Sequence, residues 1–248
     1  DSVTKFTRDP GPSARPLRFT FTPRAYHVSG QHVSWLGWTF EFAMDPRDGL
    51  VLYDVAFAPP GGPPRRILSR AALSEMLVPY GDPSPAWSFR SVFDAAEYGV
   101  GRAAATLIPG RDLTADAMRF DAVIANDAGV PRPLRGVIDA YDRDGDLRWR
   151  PDDTAERARE LVMRSVATVG NDDYGFSWVF SQDGGIAMEV DLTGVMFLKG
   201  EHHAQSSFGT AVAPHLSAID HQHFFNFRLD FDIDGTANRV REDRKSVV

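Results

Sequence analysis

The chain has no cysteine among its 248 residues, so disulfides and thiolate chemistry are excluded and the compartment is left open. It has no apolar run near the ~18 residues of a membrane-spanning helix, so no membrane partner is expected. Basic residues are the minority: 27 Lys and Arg against 34 Asp and Glu give a formal net charge of -7. With no basic stripe interleaved with aromatics, a nucleic-acid partner is not expected either. No signal-peptide pattern opens the chain, and a cytoplasmic location is the expectation. The first residue is Asp1 rather than Met, which reads as a trimmed start. There is no internal repeat and no interdomain linker. Residues 1–248 read as one domain, long enough to bury a core, with 1–17 as an extended N-terminal segment.

What is present is mostly strand pattern. Val33 to Phe42 alternates with aromatic and β-branched content, and Leu50 to Phe57 continues it after a turn at Asp45-Pro46-Arg47-Asp48-Gly49. Hairpin signals follow at Asn126 to Gly129, at Asp144-Gly145 and at Asp183 to Gly185. They are flanked by apolar segments such as Phe120 to Ile124, Phe176 to Phe180 and Ile186 to Val190. Short strands at this spacing predict an all-β, antiparallel β-sandwich with few short helices. The helical candidates are Ser69 to Met76 and Thr154 to Arg164, the second running into the β-branched stretch Val162 to Val169. Ala58 to Arg66, rich in Pro and Gly, reads as a loop. Asp142 to Asp146 matches the opening of a calcium loop, but it lacks the distal Glu and the helical flanks and is assigned as a turn.

Chemistry concentrates in a few places. His221 and His223 are two apart, so on a strand both imidazoles project from one face, an arrangement that suits Zn, Cu, Fe or Ni. The competing reading is two histidines on an exposed strand face. Asp230, Asp232 and Asp234 offer hard oxygen ligands for Ca or Mn, or simply a solvated strand end and turn. His202, His203 and His215 are further candidate ligands, more readily placed in an exposed loop from Lys199 to Ser217.

His221-Gln222-His223 with Asn226-Phe227-Arg228-Leu229-Asp230 resembles the copper-ligand strand of the copper-containing amine oxidases. Val78 to Pro85, Phe93 to Gly99, Pro46 to Leu52 and Thr168-Val169-Gly170-Asn171 resemble further blocks of that family, in the family order, from about Arg18 to Val240. The resemblance implies half of the family's catalytic β-sandwich. It implies that Asp94 is a catalytic base removing a proton from a substrate imine, and that Tyr80 is a tyrosine that hydrogen-bonds a quinone oxygen. His221 and His223 fall on two of three copper ligands, and Asp230 and Asp232 on a peripheral Ca or Mn site.

Three departures qualify this. The family motif is Thr-x-x-Asn-Tyr-(Asp/Glu)-Tyr, whose first Tyr becomes topaquinone; here that position is Asp172, and a carboxylate cannot become a quinone. Tyr174 matches the second, unconverted Tyr. The chain resembles only the first half of the family's catalytic domain and lacks the smaller N-terminal domains and the third copper histidine. Val92 stands where the family often has a gating Tyr, implying a more open or more apolar pocket.

The expectation is therefore a redox-inactive homologue without topaquinone. Asp94, Tyr80 and Asp172 are its candidate catalytic residues, and a divalent metal, copper first and zinc second, sits on His221, His223 and Asp172. Asp172 alternatively only solvates an emptied cavity. Asp94 has apolar neighbours in Phe93, Ala95 and Ala96, and Glu97 is the competing carboxylate. Such a domain would perform non-oxidative cyclisation, elimination or condensation on a small molecule. A second polypeptide supplying the C-terminal half, or self-association, would complete the sandwich. The alternatives are a non-catalytic structural or regulatory subunit, and a fragment or variant of an ordinary copper amine oxidase.

Overall fold

The computed structural model describes residues 25–113, 116–149, 156–202 and 207–240, and the segment 1–17 lies outside them. Two antiparallel sheets face each other. The first is built from β1 (His27–Ser29), β2 (His32–Trp35), β3 (Trp38–Asp45), β4 (Gly49–Phe57) and β5 (Arg65–Leu77), with the last strand of the chain, β14 (Phe224–Phe231), added beside β5. Two four-residue helices follow β5: α1 (Pro85–Ser88) and α2 (Asp94–Glu97). The second sheet is a meander of β6 (Met118–Ala125), β7 (Pro131–Trp149), β8 (Glu156–Val169), β9 (Asp172–Ser181) and β10 (Ile186–Gly194). A small third sheet joins β11 (Leu198–Gly200), β12 (Gly209–Ala213) and β13 (Leu216–Ile219) in the order β11-β13-β12. The molecule is an antiparallel β-sandwich, as expected from the sequence. Among the described residues no helix is long and apolar enough to cross a membrane.

Period-two alternation explains the core. Along β3, Trp38, Phe40, Phe42 and Met44 are buried while their neighbours are half-buried, so one face of the strand meets the opposite sheet. Phe40 stacks on Phe180 of β9 with ring centroids 4.4 Å apart, and Trp38 meets the same ring edge-on at 5.1 Å. The Trp38 indole donates to the Ser181 carbonyl at 2.8 Å, so its one polar atom is satisfied across the interface.

Several local expectations differ from the structure. Ser69 to Met76 is not a helix but the middle of β5, paired on one side with β4 and on the other with β14. Its Ala, Leu, Glu and Met content favours a helix, yet pairing on both edges and burial of Ala71, Ala72, Leu73 and Met76 outweigh that preference. The described part of Thr154 to Arg164 likewise lies in β8, a central strand between β7 and β9. Asp144-Gly145 does not turn the chain. It forms a bulge inside β7, where the register shifts between Asp144 and Leu147 and Asp146 takes a positive φ of 74°. The described residues from Lys199 to Ser217 contribute to the third sheet rather than forming one exposed loop.

Candidate functional site

Asp94 opens α2, and its position is set from outside the helix. Glu75 of β5 accepts from the backbone N–H of Ala95 at 3.0 Å and of Ala96 at 3.3 Å, capping the helix start with a carboxylate. Arg47 holds Glu75 in turn at 3.1 Å. Just beyond, Val100 and Arg102 donate backbone bonds to Arg47 and Pro46. Gly101 is needed there, since a Cβ would meet the Asp45 carbonyl oxygen at 1.8 Å. The result is a buried Asp94, 4% exposed, whereas Glu97 is exposed and accepts from the Phe93 N–H. Of the two carboxylates considered from sequence, Asp94 is the one in the site.

Asp94 lines a cavity of about 170 Å³ together with Tyr80, Arg90, Val92, Asp172 and Phe197. Burial pushes its carboxyl up to about 7, and the nearby charges of Glu75, Asp172 and Glu97 push in the same direction. Burial also pushes the Tyr80 phenol up to about 12, with Asp172 adding to the effect and Arg90 opposing it. The group able to exchange a proton near neutrality is therefore Asp94, while Tyr80 stays a donor.

Asp172 begins β9, and the end of the antiparallel pairing with β10, where it sits opposite Gly194, pins it. Val195 donates to the Asn171 carbonyl at 3.0 Å, the Asn171 amide donates back to the Val195 carbonyl, and a Cβ on Gly194 would fall 2.6 Å from the Asp172 Cα. Tyr174, on the same face of β9, is 2% exposed and donates to Asp172 Oδ2 at 3.2 Å. Its hydroxyl also lies 3.1 Å from His223 Nδ1. Because the tyrosine proton is directed to Asp172, His223 Nδ1 is the donor in that second bond. Burial, then the charge of Asp172, raises the Tyr174 phenol well above its ordinary value; burial lowers His223, and His221 adds to that lowering.

His221 and His223 lie just before β14, with ring centroids 4.9 Å apart. His221 Nδ1 faces the Ile219 carbonyl at 3.2 Å, which can only accept, so that nitrogen carries the proton. Both imidazoles thus keep Nε2 as the available lone pair, the chemistry that suits copper or zinc. Two imidazoles do not complete a coordination set. Among the described residues no group of three His, Asp or Glu is arranged to hold a metal. Asp172 reaches His223 through the Tyr174 hydroxyl, which hydrogen-bonds both.

The other candidates are dispersed. Asp230 pairs with Arg228 at 2.8 Å, Asp232 with Arg66 at 3.1 Å and Asp234 with Arg65 at 2.6 Å, so each carboxylate faces its own arginine. His202 is exposed, His203 lies outside the described residues, and His215 sits in the turn before β13 with Nδ1 facing the Glu201 carbonyl at 3.1 Å. Sequence reasoning missed Glu75 and Arg90. A carboxylate inside the apolar stretch Leu73 to Val78, and one cation among Trp87, Phe89 and Phe93, were the available signals.

Fold and site together define a β-sandwich of the amine-oxidase type: a buried carboxylate and a tyrosine lining one cavity, with an imidazole pair beside Tyr80 and Tyr174. The chain belongs to the copper amine oxidase family; residues 27–247 match its enzyme domain. It is 40% identical over 224 residues to a histamine oxidase of Arthrobacter globiformis, covering 88% of this chain and 33% of that protein. It is 35% identical over 249 residues to a primary amine oxidase of Arthrobacter sp. (strain P1), covering 97% and 38%. A copper-containing benzylamine oxidase structure from Hansenula polymorpha superposes with a TM-score of 0.77 at 29% identity, over 95% of this chain and 38% of that one. The chain thus spans about a third of the length of these relatives.

Proposed function

We propose that this domain is a redox-inactive member of its family that performs carboxylate-assisted, non-oxidative chemistry on a small molecule. One observation supports this most directly: Asp94 is buried in a pocket and titrates near neutrality, while the neighbouring position on β9 is a carboxylate with no ring to oxidise. Asp94 removes a proton from carbon next to an electron-withdrawing group of the substrate. Tyr80, protonated at working pH, hydrogen-bonds the negative charge that develops. The proton returns to another carbon, giving an isomer, to a group expelled from the adjacent carbon, giving an elimination product, or to the oxygen of a carbonyl in the same molecule that the carbanion attacks, giving a ring. The benzylamine oxidase that this chain resembles is copper-containing; here no step passes through a metal.

The test follows deuterium entry, by NMR, at the carbon beside the carbonyl or imine of small probe compounds. Exchange is expected with the unaltered protein and not with Asp94→Asn, and equal exchange would remove the base from the scheme. A quinone colour in the unaltered chain after copper and oxygen would refute redox inactivity.

We propose further that a second polypeptide, or another copy of the chain, covers the edge formed by β10 and β14. Ile186, Met188, Phe227, Leu229 and Phe231 line an apolar groove between these strands, and both are edge strands of their sheets. Light scattering on dilution is expected to report self-association. A monodisperse monomer that binds no apolar dye would refute covering by either.

A further inference from the structure

Arg90 differs from the other partly buried arginines among the described residues. Arg70, Arg143, Arg159 and Arg164 are partly buried and each meets a carboxylate, at 2.5 Å to Asp48, 2.7 Å to Glu160, 2.5 Å to Asp142 and 2.9 Å to Asp139. The Arg90 side chain has no ion pair and no hydrogen bond among the described residues, and its Nε is buried without a partner. Aromatic rings hold it instead. The guanidinium carbon lies 4.6 Å from the Phe197 ring centroid, 4.8 Å from Trp87 and 5.2 Å from Phe89.

Such stacking uses the flat face of the guanidinium and leaves its N–H donors, which radiate in the plane, unspent. A buried donor without a partner is destabilising, and a carboxylate accepting two parallel N–H bonds is the group that best matches the fork. Arg90 lines the same small cavity as Asp94 and Asp172. The cavity lining therefore carries both carboxylates, which favour a cation, and a guanidinium, which favours an anion.

We propose that Arg90 is a specificity-determining residue that binds a carboxylate, so that the pocket takes a small amphoteric molecule with a protonated nitrogen toward Asp94 and Asp172 and a carboxylate on Arg90. This rests on the pocket being a ligand site, as in the function proposed above, and adds the class of ligand. The aromatic clamp preorganises the guanidinium, so little side-chain freedom is lost on binding. Val92, a short apolar side chain, lines the same cavity.

Calorimetry on the full chain would compare ω-amino acids, from β-alanine to 6-aminohexanoate, with n-alkylamines of matched length. At least one amino acid is expected to bind about tenfold more tightly than its alkylamine, the size of one charge-assisted pair. Arg90→Gln should bring that ratio to about one while alkylamine binding persists, and Arg90→Lys should retain part of the preference. Equal affinities in the unaltered protein, binding of neither series, or a preference that survives Arg90→Gln would each overturn the proposal. Because this is an equilibrium measurement, it succeeds or fails independently of whether Asp94→Asn stops proton exchange.

Discussion

The two ends of this sandwich are built from the same strands and obey different rules. At one end, β3 and β9 bring Trp38, Phe40 and Phe180 together; the two Phe rings are apolar and the single polar atom of Trp38 is satisfied. At the other end, the start of β9 and the helix after β5 bring Asp94, Asp172, Tyr80 and Arg90 around a cavity, with like charges close together. The first arrangement gains stability from each residue. The second holds Asp94 against its own preference for water, and the surrounding frame of Glu75, Arg47 and Gly101 keeps it there. Functional ends of folds are where such local conflict is tolerated.

The contrast can be broken most forcefully in the core. Phe180→Ala should cost about 3–5 kcal/mol in denaturant unfolding, because the site between Trp38 and Phe40 cannot collapse around the missing ring. A loss below about 1 kcal/mol would mean the two sheets are not held by this cluster. At the pocket the sign reverses. Asp94 has a folded-state pKa near 7, above its ordinary value of 3.8, so the folded state binds the extra proton between these values and stability falls as pH rises through that window. Asp94→Asn should therefore be more stable than the unaltered protein at about pH 8, by on the order of 2 kcal/mol, and the pH slope between about 4 and 7 should flatten. An unchanged slope would place Asp94 in water. The smallest effect is expected at Tyr174→Phe, which removes only the hydroxyl between Asp172 and His223 and should cost about 1 kcal/mol by thermal unfolding. A cost near that of Phe180→Ala would make the site end as rigid as the core.

Much of the fold was legible before any coordinates. The alternation through β3 and the turn residues at Asp45 to Gly49, Asn126 to Gly129 and Asp183 to Gly185 all mark real strands and hairpins. Where the reading failed, a long-range partner outweighed a local preference. Ser69 to Met76 has helical composition, and its fate depended on β14, which arrives some 150 residues later. The Asp144-Gly145 signal was real as a distortion, but β8 continues to pair past it, so the chain bulges instead of reversing.

The site shows the same division. The motif order pointed to Asp94, Tyr80, Asp172, His221 and His223, and the structure brings Tyr80 and His221 side by side, with ring centroids 5.1 Å apart. It does not assemble Asp172 with both histidines, because the Tyr174 hydroxyl stands between. Nor does it gather Asp230 and Asp232, which arginines hold separately.

By itself the sequence determined the strand pattern and the family, since these depend on residue type and order along the chain. Only the tertiary structure decided which carboxylate is buried, that Glu75 caps its helix, and that Arg90 enters the cavity with its donors unspent. Burial and charge coupling arise from elements distant in the chain that meet in space, and a titration near neutrality exists only once they have met.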